Sequence, residues 1–387
     1  MVFGILKDRK EGEHRVICTP MEVRSIVGAG HTVYAQKGCG AGAGFPDEKY
    51  EEAGATILET EAELFEQCDF VAKVKEIEPE EYDLLREDTM LYCCIHPAAH
   101  PEEVQALLKS KCIALTAEDS HRYGSPNCEA AGKQGALFGL ESMLTINGGK
   151  GMYVGGFAGA PAMNVLILGG GMTGQGALSV LHALGANVTV MDINIGVLRT
   201  LENKYNDQIN TAFCTKEAIA ELLPSTDMVI NCVKWPKQRK DFLITRDMLK
   251  TMEPGSVLVD ISNDDPGAIE SSHETHHDDP RYVDSGVVHF CVSNIPGAVA
   301  KSISTALAAE TLPMLLNILN NGLEEACATD GFIRRSLTTY KGHLTHEETS
   351  AIQGIPWIRP EDVLGIADRT LDPAPPATTT RSSNFEQ

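Results

Sequence analysis

The sequence predicts an α/β protein with two Rossmann-like domains, each built on a parallel sheet, and a cleft between the domains. Three observations support this prediction. Short apolar runs alternate with amphipathic stretches from the start of the chain, which is typical of βαβ units. The alternation restarts at Asn164 with a second series of apolar runs. The chain also has 387 residues, more than the roughly 250–300 that one core usually supports.

The order of these runs predicts the domain boundaries. Strands are expected at VFGIL, HTVYAQ, DFVAKVK, MLYCCI and CIALT, and again at NVLILG, NVTVMD, DMVINCV, GSVLVDIS and VVHFCVS. The helical stretch EAAGKQGALFGLESML lies between the two series. AVAKSISTALAAETLPMLLNILNNG follows the second and is long enough to return to the first domain. Pro313 is expected to kink this stretch or to mark the junction of two helices. We therefore predict a substrate domain at 1–125 plus 300–370, a cofactor domain at 126–299, and a disordered tail at 371–387.

Composition restricts the partners and the compartment. The chain has 32 Lys and Arg against 54 Asp and Glu, a net charge of -22. This excess disfavours nucleic acid and anionic membranes as partners, because both require clustered positive charge. The sequence has no apolar run of about 18 residues and no signal peptide, so we expect a cytoplasmic protein without a membrane segment. The 11 cysteines lack paired metal or disulfide spacing and are expected to be free thiols.

The segment VLILGGGMTG indicates a dinucleotide site. Gly169, Gly171 and Gly174 form a GxGxxG motif between a predicted strand and a predicted helix, the context in which such glycines admit a pyrophosphate to a helix N-terminus. Asp192 ends the next predicted strand, where a carboxylate accepts hydrogen bonds from the adenosine ribose and repels a 2′-phosphate. NAD is therefore favoured over NADP. The alternatives are FAD, whose motif usually lies near the N-terminus, and a purely structural glycine turn.

Four polar residues at the ends of predicted strands are candidates for the chemistry. They are Arg15, Lys75, His96 and Asp264, and open α/β sheets bind ligands at the carboxyl ends of their strands. Taken singly, each has a structural alternative: Lys75 exposed to solvent, Arg15 paired with a nearby acid, His96 satisfied beside a proline, and Asp264 as a turn former.

Two further segments carry polar or aromatic residues without a clear chemical pattern. HETHHDD at 273–279 could bind a metal, but without apolar residues around it an acidic surface loop is favoured and no metal is predicted. Trp235 is expected to anchor a loop or to face the cofactor. Arg239 and Lys240 could contact a second substrate carboxylate or only solvent.

The sequence resembles the alanine dehydrogenase family, within the group that includes the soluble part of nicotinamide nucleotide transhydrogenase. The resemblance runs from residue 1 to about 365 and is carried by EHRVICTP, EKYEEAGA, VAKVKE, EEYDLLRE, EAAGK, NVLILGGGMTG, NVTVMDINIGVLRTL, MEPGSVLVDIS, VVHFCVSNIPGAV and LTTYKGHLT. It implies reversible, NAD-dependent oxidative deamination of a small L-amino acid to a 2-oxo acid and ammonia. It also implies a homo-oligomer, namely a hexamer.

The resemblance implies a role for each candidate residue. Arg15 would bind the substrate carboxylate, and Lys75 would bind that carboxylate and the developing oxygen charge. His96 would be the general acid/base, and Asp264 would orient the water or hydroxyl of the carbinolamine. Asn294 would line the nicotinamide and substrate pocket. Beyond the glycines and Asp192, the cofactor residues would be Cys128, Met172, Thr173, Val233, Lys234 and Ile295.

The sequence departs from the family pattern near the expected pocket. Asn127 and Cys128 stand after the proline of a segment in which the family usually has a methionine. PKQRKD at 236–241 replaces PGAKAP, and Cys94 replaces an aromatic residue that is usual near the histidine. INCVKWPKQRKD, CIHP and DISNDDPGAIE are similar to N5-(carboxyethyl)ornithine synthase, an opine-type imine reductase, which is the alternative activity. A transhydrogenase subunit and a catalytically silent NAD-binding regulator would also contain a dinucleotide motif of this kind.

Overall fold

The computed structural model describes residues 1–236, 239–263 and 267–370. The strands of these residues are β1 (Val2–Ile5), β2 (Thr32–Gln36), β3 (Thr56–Leu58), β4 (Phe70–Ala72), β5 (Met90–Cys93), β6 (Ile113–Thr116), β7 (Asn164–Leu168), β8 (Asn187–Asp192), β9 (Asn210–Phe213), β10 (Met228–Asn231), β11 (Val257–Asp260), β12 (Arg281–Asp284), β13 (Val287–Phe290), β14 (Leu337–Tyr340) and β15 (His343–Leu344). The α-helices are α1 (Pro20–Gly28), α2 (Asp47–Glu52), α3 (Glu61–Gln67), α4 (Pro101–Ser110), α5 (Ala117–Ser120), α6 (Pro126–Ser142), α7 (Met172–Ala183), α8 (Ile195–Lys204), α9 (Lys216–Leu222), α10 (Arg246–Leu249), α11 (Ala300–Asn321), α12 (Leu323–Thr329), α13 (Gly331–Ser336), α14 (Glu347–Gln353) and α15 (Pro360–Val363). Short 3₁₀ helices occur at Ala41–Ala43, Pro79–Leu84, Thr145–Asn147, Leu223–Ser225 and Ile295–Val299.

The chain divides into two compact units, each with its own sheet. The first unit contains Met1–Ser125 and the chain from Ala300 onward, and the second contains Pro126–Val299. The first sheet has the strand order β15-β14-β6-β5-β4-β1-β2-β3, and the second has the order β12-β13-β11-β10-β7-β8-β9. Each sheet therefore contains six parallel strands in the doubly wound order 3-2-1-4-5-6. The α/β class predicted from the sequence is confirmed.

Antiparallel strands at one edge make both sheets mixed rather than wholly parallel. β12 pairs antiparallel with β13, and β14 pairs antiparallel with both β6 and β15. Two-residue turns, Ser285–Gly286 and Lys341–Gly342, connect the hairpins, and all four residues have positive φ angles. Positive φ at both central positions defines a type I′ turn, whose twist matches that of the strands. The sequence prediction did not include these edge strands.

The central strands of each sheet, among them β4, β5, β10 and β11, are buried on both faces, as expected where crossover helices cover a parallel sheet. Successive residues of one strand enter different cores: Phe70 and Ala72 of β4 belong to one cluster, and Val71 belongs to another. In β7, Val165 and Ile167 pack on one side and Leu166 and Leu168 on the other. The continuous apolar runs of the sequence follow from this burial, because neither face of these strands meets water.

The structure excludes one of the two alternatives predicted for Pro313, the junction of two helices. This residue lies inside a single α-helix, α11, rather than at a junction of two helices. The buried side of α11, including Leu307, Leu315 and Ile318, belongs to the core of the first unit, and this packing stabilises the helix despite the missing amide donor. Among the described residues, only the stretch Ile295–Asn321 is long and apolar enough to span a membrane by composition. A core helix meets the same criterion.

Both sheets reverse their strand order at one point, where doubly wound folds bind ligands. In the first sheet the reversal lies between β1 and β4, and in the second it lies between β7 and β10. The predicted site residues Arg15 and Lys75 follow β1 and β4, and Gly169 follows β7. Asp264 and the predicted tail at 371–387 lie outside the described residues.

Candidate active site

The turn between β7 and α7 has the geometry that a dinucleotide phosphate needs. Gly169 has φ +92°, a conformation that side chains rarely adopt. A Cβ atom on Gly174 would lie 1.8 Å from the carbonyl oxygen of Gly169, so only glycine lets α7 begin this close to β7. A Cβ on Gly171, the N-cap residue of α7, would meet nothing within 4 Å. Met172 and Thr173, the first helical residues, are partly exposed. The helix N-terminus therefore faces open space that an anion can fill.

Asp192 lies beside this turn at the end of β8. Its Oδ2 accepts a hydrogen bond of 2.7 Å from the amide of Gly170, and its Oδ1 accepts one of 2.8 Å from the amide of Asn194. These two bonds fix the carboxylate at the glycine turn, while the side chain remains partly exposed. Each carboxylate oxygen has a further lone pair, so the group can also accept bonds from ribose hydroxyls.

The loop after β10 forms the other side of the glycine turn. The carbonyl oxygen of Cys232 would lie 3.2 Å from a Cβ on Gly169. The side chain of Asn231 fixes this loop, because its Oδ1 accepts a bond of 3.2 Å from the amide of Val233 and its Nδ2 donates one of 2.8 Å to the buried Asp260. Val233 is partly exposed, and Lys234, the next residue, is exposed. Both therefore extend from a loop that borders the predicted cofactor site.

Helix α6 packs closely against α7 and brings its first turn toward the same region. A Cβ on Gly132 would lie 1.9 Å from the carbonyl oxygen of Thr173, so the two helix backbones are in direct contact. Cys128, on the first turn of α6, is exposed. Burial, followed by the charges of Asp260 and Cys128, raises the pKa of the Cys232 thiol. Cys128 is therefore close enough to the loop after β10 to influence it.

Asn294 and Ile295 have different environments. Asn294 is buried, and its carbonyl oxygen is 3.1 Å from Nε2 of His277 and accepts a bond of 3.0 Å from the amide of Gly297. Ile295 is fully buried in the core of the second unit, where its Cδ1 would lie 3.6 Å from a Cβ on Gly135 of α6. The position of Ile295 indicates a packing role in addition to the cofactor role expected from the resemblance.

In the first unit, Arg15 is a buried cation held by a buried acid. Its amide and its Nε each donate a bond of 2.8 Å to Oε1 of Glu13, and an Nη donates to Oε2. Burial opposes the charge of Arg15, but the bond and the charge of Glu13 outweigh it and raise the pKa of the guanidinium. The alternative that Arg15 pairs with a nearby acid is thus realised, and this pairing also fixes the orientation of the guanidinium.

Lys75 follows β4 and is held at both its backbone and its side chain. Asp8 accepts bonds of 3.0 and 2.8 Å from the amides of Val74 and Lys75. The Lys75 Nζ is 3.1 Å from Oε2 of Glu76, which also pairs with Lys10. Burial lowers the pKa of Lys75, but Glu76 and other groups outweigh this effect and raise it overall. Lys75 is therefore a stable cation rather than a proton donor near neutral pH.

The two cations lie close to Cys94 and Glu118. Burial and the charge of Glu118 raise the pKa of the Cys94 thiol, and the charges of Lys75 and Arg15 act in the opposite direction. The charge of Arg15 also lowers the pKa of Lys75. Cys94 is thus within electrostatic range of Arg15, Lys75 and Glu118, and its amide donates a bond of 3.0 Å to the carbonyl of Val74, the residue before Lys75. A ligand carboxylate that binds these two cations would share them with Glu13 and Glu76, which already pair with them.

His96, after β5, has an unusual backbone conformation that its neighbours hold in place. Its φ is +49°, in a region that costs a residue with a Cβ roughly 1 kcal/mol. The Glu118 carboxylate accepts a bond of 2.5 Å from the His96 amide and lies 3.2 Å from its Nδ1. The His96 carbonyl oxygen accepts a bond of 2.9 Å from the amide of Ala99. The side chain is 49% exposed, so it can exchange protons with solvent or with a ligand.

Glu118 is a candidate site residue that the sequence did not reveal. It lies on α5, a short helix directly after β6, which pairs with β5. The next residue, Asp119, is buried and its Oδ2 is 2.9 Å from Nε2 of the buried His346. This pair anchors α5, and with it the carboxylate that holds His96. One signal for Glu118 was available. It follows β6, and because the parallel strands β5 and β6 end at the same edge of the sheet, residues that follow them lie close together.

The histidine-rich segment at 273–279 is not arranged as a metal site. Within the part of the chain that the structure describes, no group of three or more His, Cys, Asp or Glu side chains could hold a metal ion. His277 instead contacts the Asn294 carbonyl, and His273 stacks on Tyr282 at a ring distance of 3.8 Å. Trp235 is buried, and its Nε1 donates a bond of 3.0 Å to the carbonyl of Asp241. Trp235 therefore anchors its loop, one of the two roles that the sequence suggested.

The pH dependence of stability tests whether the buried Asp8 carboxyl has a raised pKa. Burial, partly opposed by Lys73, raises the pKa of Asp8 to about 6. The folded chain thus binds a proton at Asp8 more tightly than the unfolded chain, so stability is expected to fall as pH rises from about 4 to about 6. Asp8→Asn has no carboxyl at this position and therefore lacks this contribution to the pH dependence of stability. The free energy of unfolding of Asp8→Asn relative to wild type should increase by about 1–3 kcal/mol across that interval and stay level above it.

The measurement is chemical denaturation of both proteins at a series of pH values. Asp69→Asn is the control, because Asp69 is exposed and likewise accepts a backbone amide bond, from Val2 at 2.8 Å. The control difference should not change with pH in this way. Equal pH dependence for wild type and Asp8→Asn would contradict the assignment.

Comparison with known proteins supplies the family. The model of the alanine dehydrogenase/PNT N-terminal domain matches residues 4–126, and that of the alanine dehydrogenase/PNT C-terminal domain matches residues 136–347. The chain belongs to the alanine dehydrogenase/PNT family. Its relatives include the alanine dehydrogenase of Methanococcus maripaludis, with 35% identity over 94% of this chain and 100% of the relative, and that of Bacillus subtilis, with 37% identity over 94% and 98%.

A solved structure of the same family agrees with the fold. An L-alanine dehydrogenase superposes with a TM-score of 0.84 and 33% identity, covering 92% of this chain and 99% of that chain. The resemblance stated from the sequence motifs is thereby confirmed. In this member of the alanine dehydrogenase/PNT family, Arg15 and Lys75 follow the two strands between which the order of the first sheet reverses, and the glycine turn follows β7, where the order of the second sheet reverses.

Proposed function

We propose that this chain is an NAD-dependent alanine dehydrogenase that converts L-alanine to pyruvate and ammonia in a reversible reaction. The observation that carries the proposal is the grouping of Arg15 and Lys75 around Cys94 and Glu118, with His96 bonded to Glu118. Two cations suit a carboxylate substrate, and a partly exposed imidazole suits proton transfer. The alanine dehydrogenases among the chain's relatives match nearly its full length, which supports this substrate class.

The second unit would hold NAD at the glycine turn. Gly169, Gly171 and Gly174 leave the N-terminus of α7 open to the pyrophosphate, and Asp192 would accept bonds from the adenosine ribose. Met172, Thr173, Cys128, Val233, Lys234 and Ile295 would complete the surroundings of the dinucleotide. When bound, NAD⁺ supplies the acceptor for the hydride that leaves Cα of the amino acid. The glycine turn fits NAD, because Gly171 has no side chain and leaves space beside the N-terminus of α7 for the pyrophosphate.

Arg15 and Lys75 would bind and orient the substrate through charge. Both remain protonated near neutral pH, because neighbouring carboxylates outweigh the effect of burial. Arg15 is oriented by Glu13 and would bind the substrate carboxylate. Lys75, held by Asp8 and Glu76, would bind the same carboxylate and stabilise negative charge on the oxygen that becomes the pyruvate carbonyl. Pre-oriented cations lower the cost of ordering the site at the moment of reaction.

His96 would move the protons. As imidazole it would accept a proton from the amine or from the water that attacks the imine, and as imidazolium it would return a proton to the departing ammonia. Glu118, 3.2 Å from Nδ1, would hold the ring in place. Asp264 would orient the water or hydroxyl of the carbinolamine, and Asn294 would line the pocket for nicotinamide and substrate.

A steady-state assay with different amines tests the proposal. In the presence of NADH and pyruvate, oxidation of NADH should depend on ammonium, and alanine should form. Ornithine or lysine in place of ammonium should give no comparable rate. Turnover only with ornithine or lysine would assign an opine-type imine reductase instead. Binding of NADH with no turnover under any of these conditions would assign a regulator.

The resemblance to the family also leads us to propose a homo-oligomer, namely a hexamer. Sedimentation of the purified chain measures this directly. A mass of about six chains is expected, and a monomer over a wide range of concentration would refute the assignment. The enzyme assay is independent of this result, so the activity and the assembly are tested separately.

A further inference from the structure

The turn that follows His96 is bound by a side chain from the last part of the first unit. The Nε2 atom of Gln353 donates a bond of 2.7 Å to the carbonyl oxygen of Pro97 and lies 3.5 Å from that of Ala98. The Ala99 amide closes this turn on the His96 carbonyl with a bond of 2.9 Å, so Gln353 contacts both of its central residues. The donor is the amide nitrogen of Gln353, because a carbonyl oxygen can only accept.

The backbone of His96 needs support from its neighbours. Its φ of +49° is unfavourable for a residue with a Cβ and persists only where surrounding contacts fix it. His96 and Ala99 are exposed and Ala98 is partly exposed, so packing supplies little of this support. Glu118 accepts a bond of 2.5 Å from the His96 amide, and Gln353 binds the chain just after His96. Hydrogen bonds on both sides of His96 therefore determine where its imidazole lies.

Helix α14, which ends at Gln353, is itself fixed to the helix that carries Glu118. His346 is the N-cap residue of α14, and its Nδ1 accepts a bond of 3.3 Å from the amide of Thr349. Its Nε2 is 2.9 Å from Oδ2 of Asp119, and both side chains are buried. Asp119 follows Glu118 in α5. One end of α14 thus binds α5 and the other end binds the turn after β5, so α14 connects the two groups that fix His96.

We infer that Gln353 is a positioning residue for His96. It fixes the turn so that the imidazole stays beside Glu118, in the place from which it exchanges protons with the substrate. The inference rests on the proposed function, because it concerns the proton transfer that His96 performs there. Gln353 acts through the turn and need not touch the substrate. Its loss should therefore slow the chemical step and leave ligand binding unchanged, since Arg15 and Lys75 bind the substrate and the glycine turn binds NADH in that function.

Single-turnover oxidation of NADH by Gln353→Met, with pyruvate and ammonium, tests the inference. Methionine keeps the length of the side chain but has no donor. The rate constant should fall by about 3–10-fold, the effect of losing one hydrogen bond that fixes the turn. The pyruvate and NADH concentrations for half-saturation should change by less than about 2-fold. Gln353→Lys, which can still donate, should retain most of the rate. Gln67→Met is the control and should react like wild type, because Gln67 is exposed and also ends a seven-residue helix, α3.

The same substitution in the His96→Ala protein separates positioning from general disruption. There Gln353→Met should slow the residual reaction by less than about 2-fold, because the imidazole that it positions is missing. Equal losses with and without His96 would overturn the inference, and so would a wild-type rate for folded Gln353→Met.

Thermal unfolding reports whether each variant folds. If Gln353→Met does not fold, Gln353→Glu replaces it, because glutamate has the same shape and is an acceptor only when ionised. A wild type without ammonium-dependent turnover would refute the proposed function and this inference with it. An active wild type together with an unaffected Gln353 variant would refute the inference alone.

Discussion

Replacing His96 with Ala should reduce kcat/KM for alanine formation by about 10²–10⁴-fold, the usual contribution of a general acid/base. The affinity for NADH should remain nearly unchanged, because the glycine turn belongs to the second unit. The loss of kcat/KM is expected because Arg15 and Lys75 hold their protons near neutral pH and cannot replace the imidazole as acid/base. Stopped-flow oxidation of NADH and fluorescence titration of NADH measure the two quantities.

Two further variants show whether the loss of activity in His96→Ala is due to the missing imidazole. His100→Ala removes the histidine whose ring lies 6.4 Å from that of His96, and it should retain most of the activity. Glu118→Gln should cost less than His96→Ala, because the amide oxygen can still accept the bond from the His96 backbone. A His96→Ala protein with wild-type turnover would refute the assignment of the acid/base. Equal losses for His96→Ala and His100→Ala would show that general disruption of this loop causes the effect.

Replacing Gly171 with Val should abolish NADH binding while the fold is retained. An added Cβ meets no atom within 4 Å at this position, and φ is -69°, so the chain tolerates a side chain. That space is the one through which a pyrophosphate would approach α7. We expect the dissociation constant for NADH to rise by at least about 100-fold, equivalent to about 2.7 kcal/mol. Isothermal titration with NADH measures this effect.

The matched control is Gly28→Val at the end of α1. An added Cβ on Gly28 also meets nothing within 4 Å, but this residue is far in sequence from the glycine turn and belongs to the first unit. Gly28→Val should bind NADH like wild type. Both variants should have thermal unfolding temperatures close to that of wild type. Wild-type affinity in Gly171→Val would place the dinucleotide elsewhere.

The sequence predicted those parts of the fold that depend on local pattern. Parallel strands buried on both faces produce continuous apolar runs, and β4, β5 and β7 appeared as such runs. The glycine turn was also recognisable, because Gly169 and Gly174 are required by local sterics. The hairpins that contain β12 and β15 were missed, because Ser–Gly and Lys–Gly are weaker turn signals than Asn–Gly.

Of the missed site residues, Asp8 and Glu118 depend on contacts between distant parts of the chain, whereas Glu13 pairs with Arg15 only two residues away. Glu13 and Asp8 lie in a charged N-terminal segment and look like surface acids, yet both are buried, and they hold Arg15 and Lys75. Glu118 is 22 residues from His96 in sequence and reaches it because β5 and β6 are neighbours. Nothing in the local sequence indicates which acid accepts which donor. Pairing of this kind follows from strand order, which the sequence pattern does not specify.

Transfer of deuterium tests the central claim most directly. The chain is incubated with NAD⁺ and L-alanine that carries deuterium at Cα, and the NADH and ammonia formed are analysed by mass spectrometry and enzymatic assay. The account predicts one deuterium in each NADH, with pyruvate and ammonia in equal amounts. Formation of unlabelled NADH, or no NADH with alanine under conditions where the protein binds NAD⁺, would contradict it.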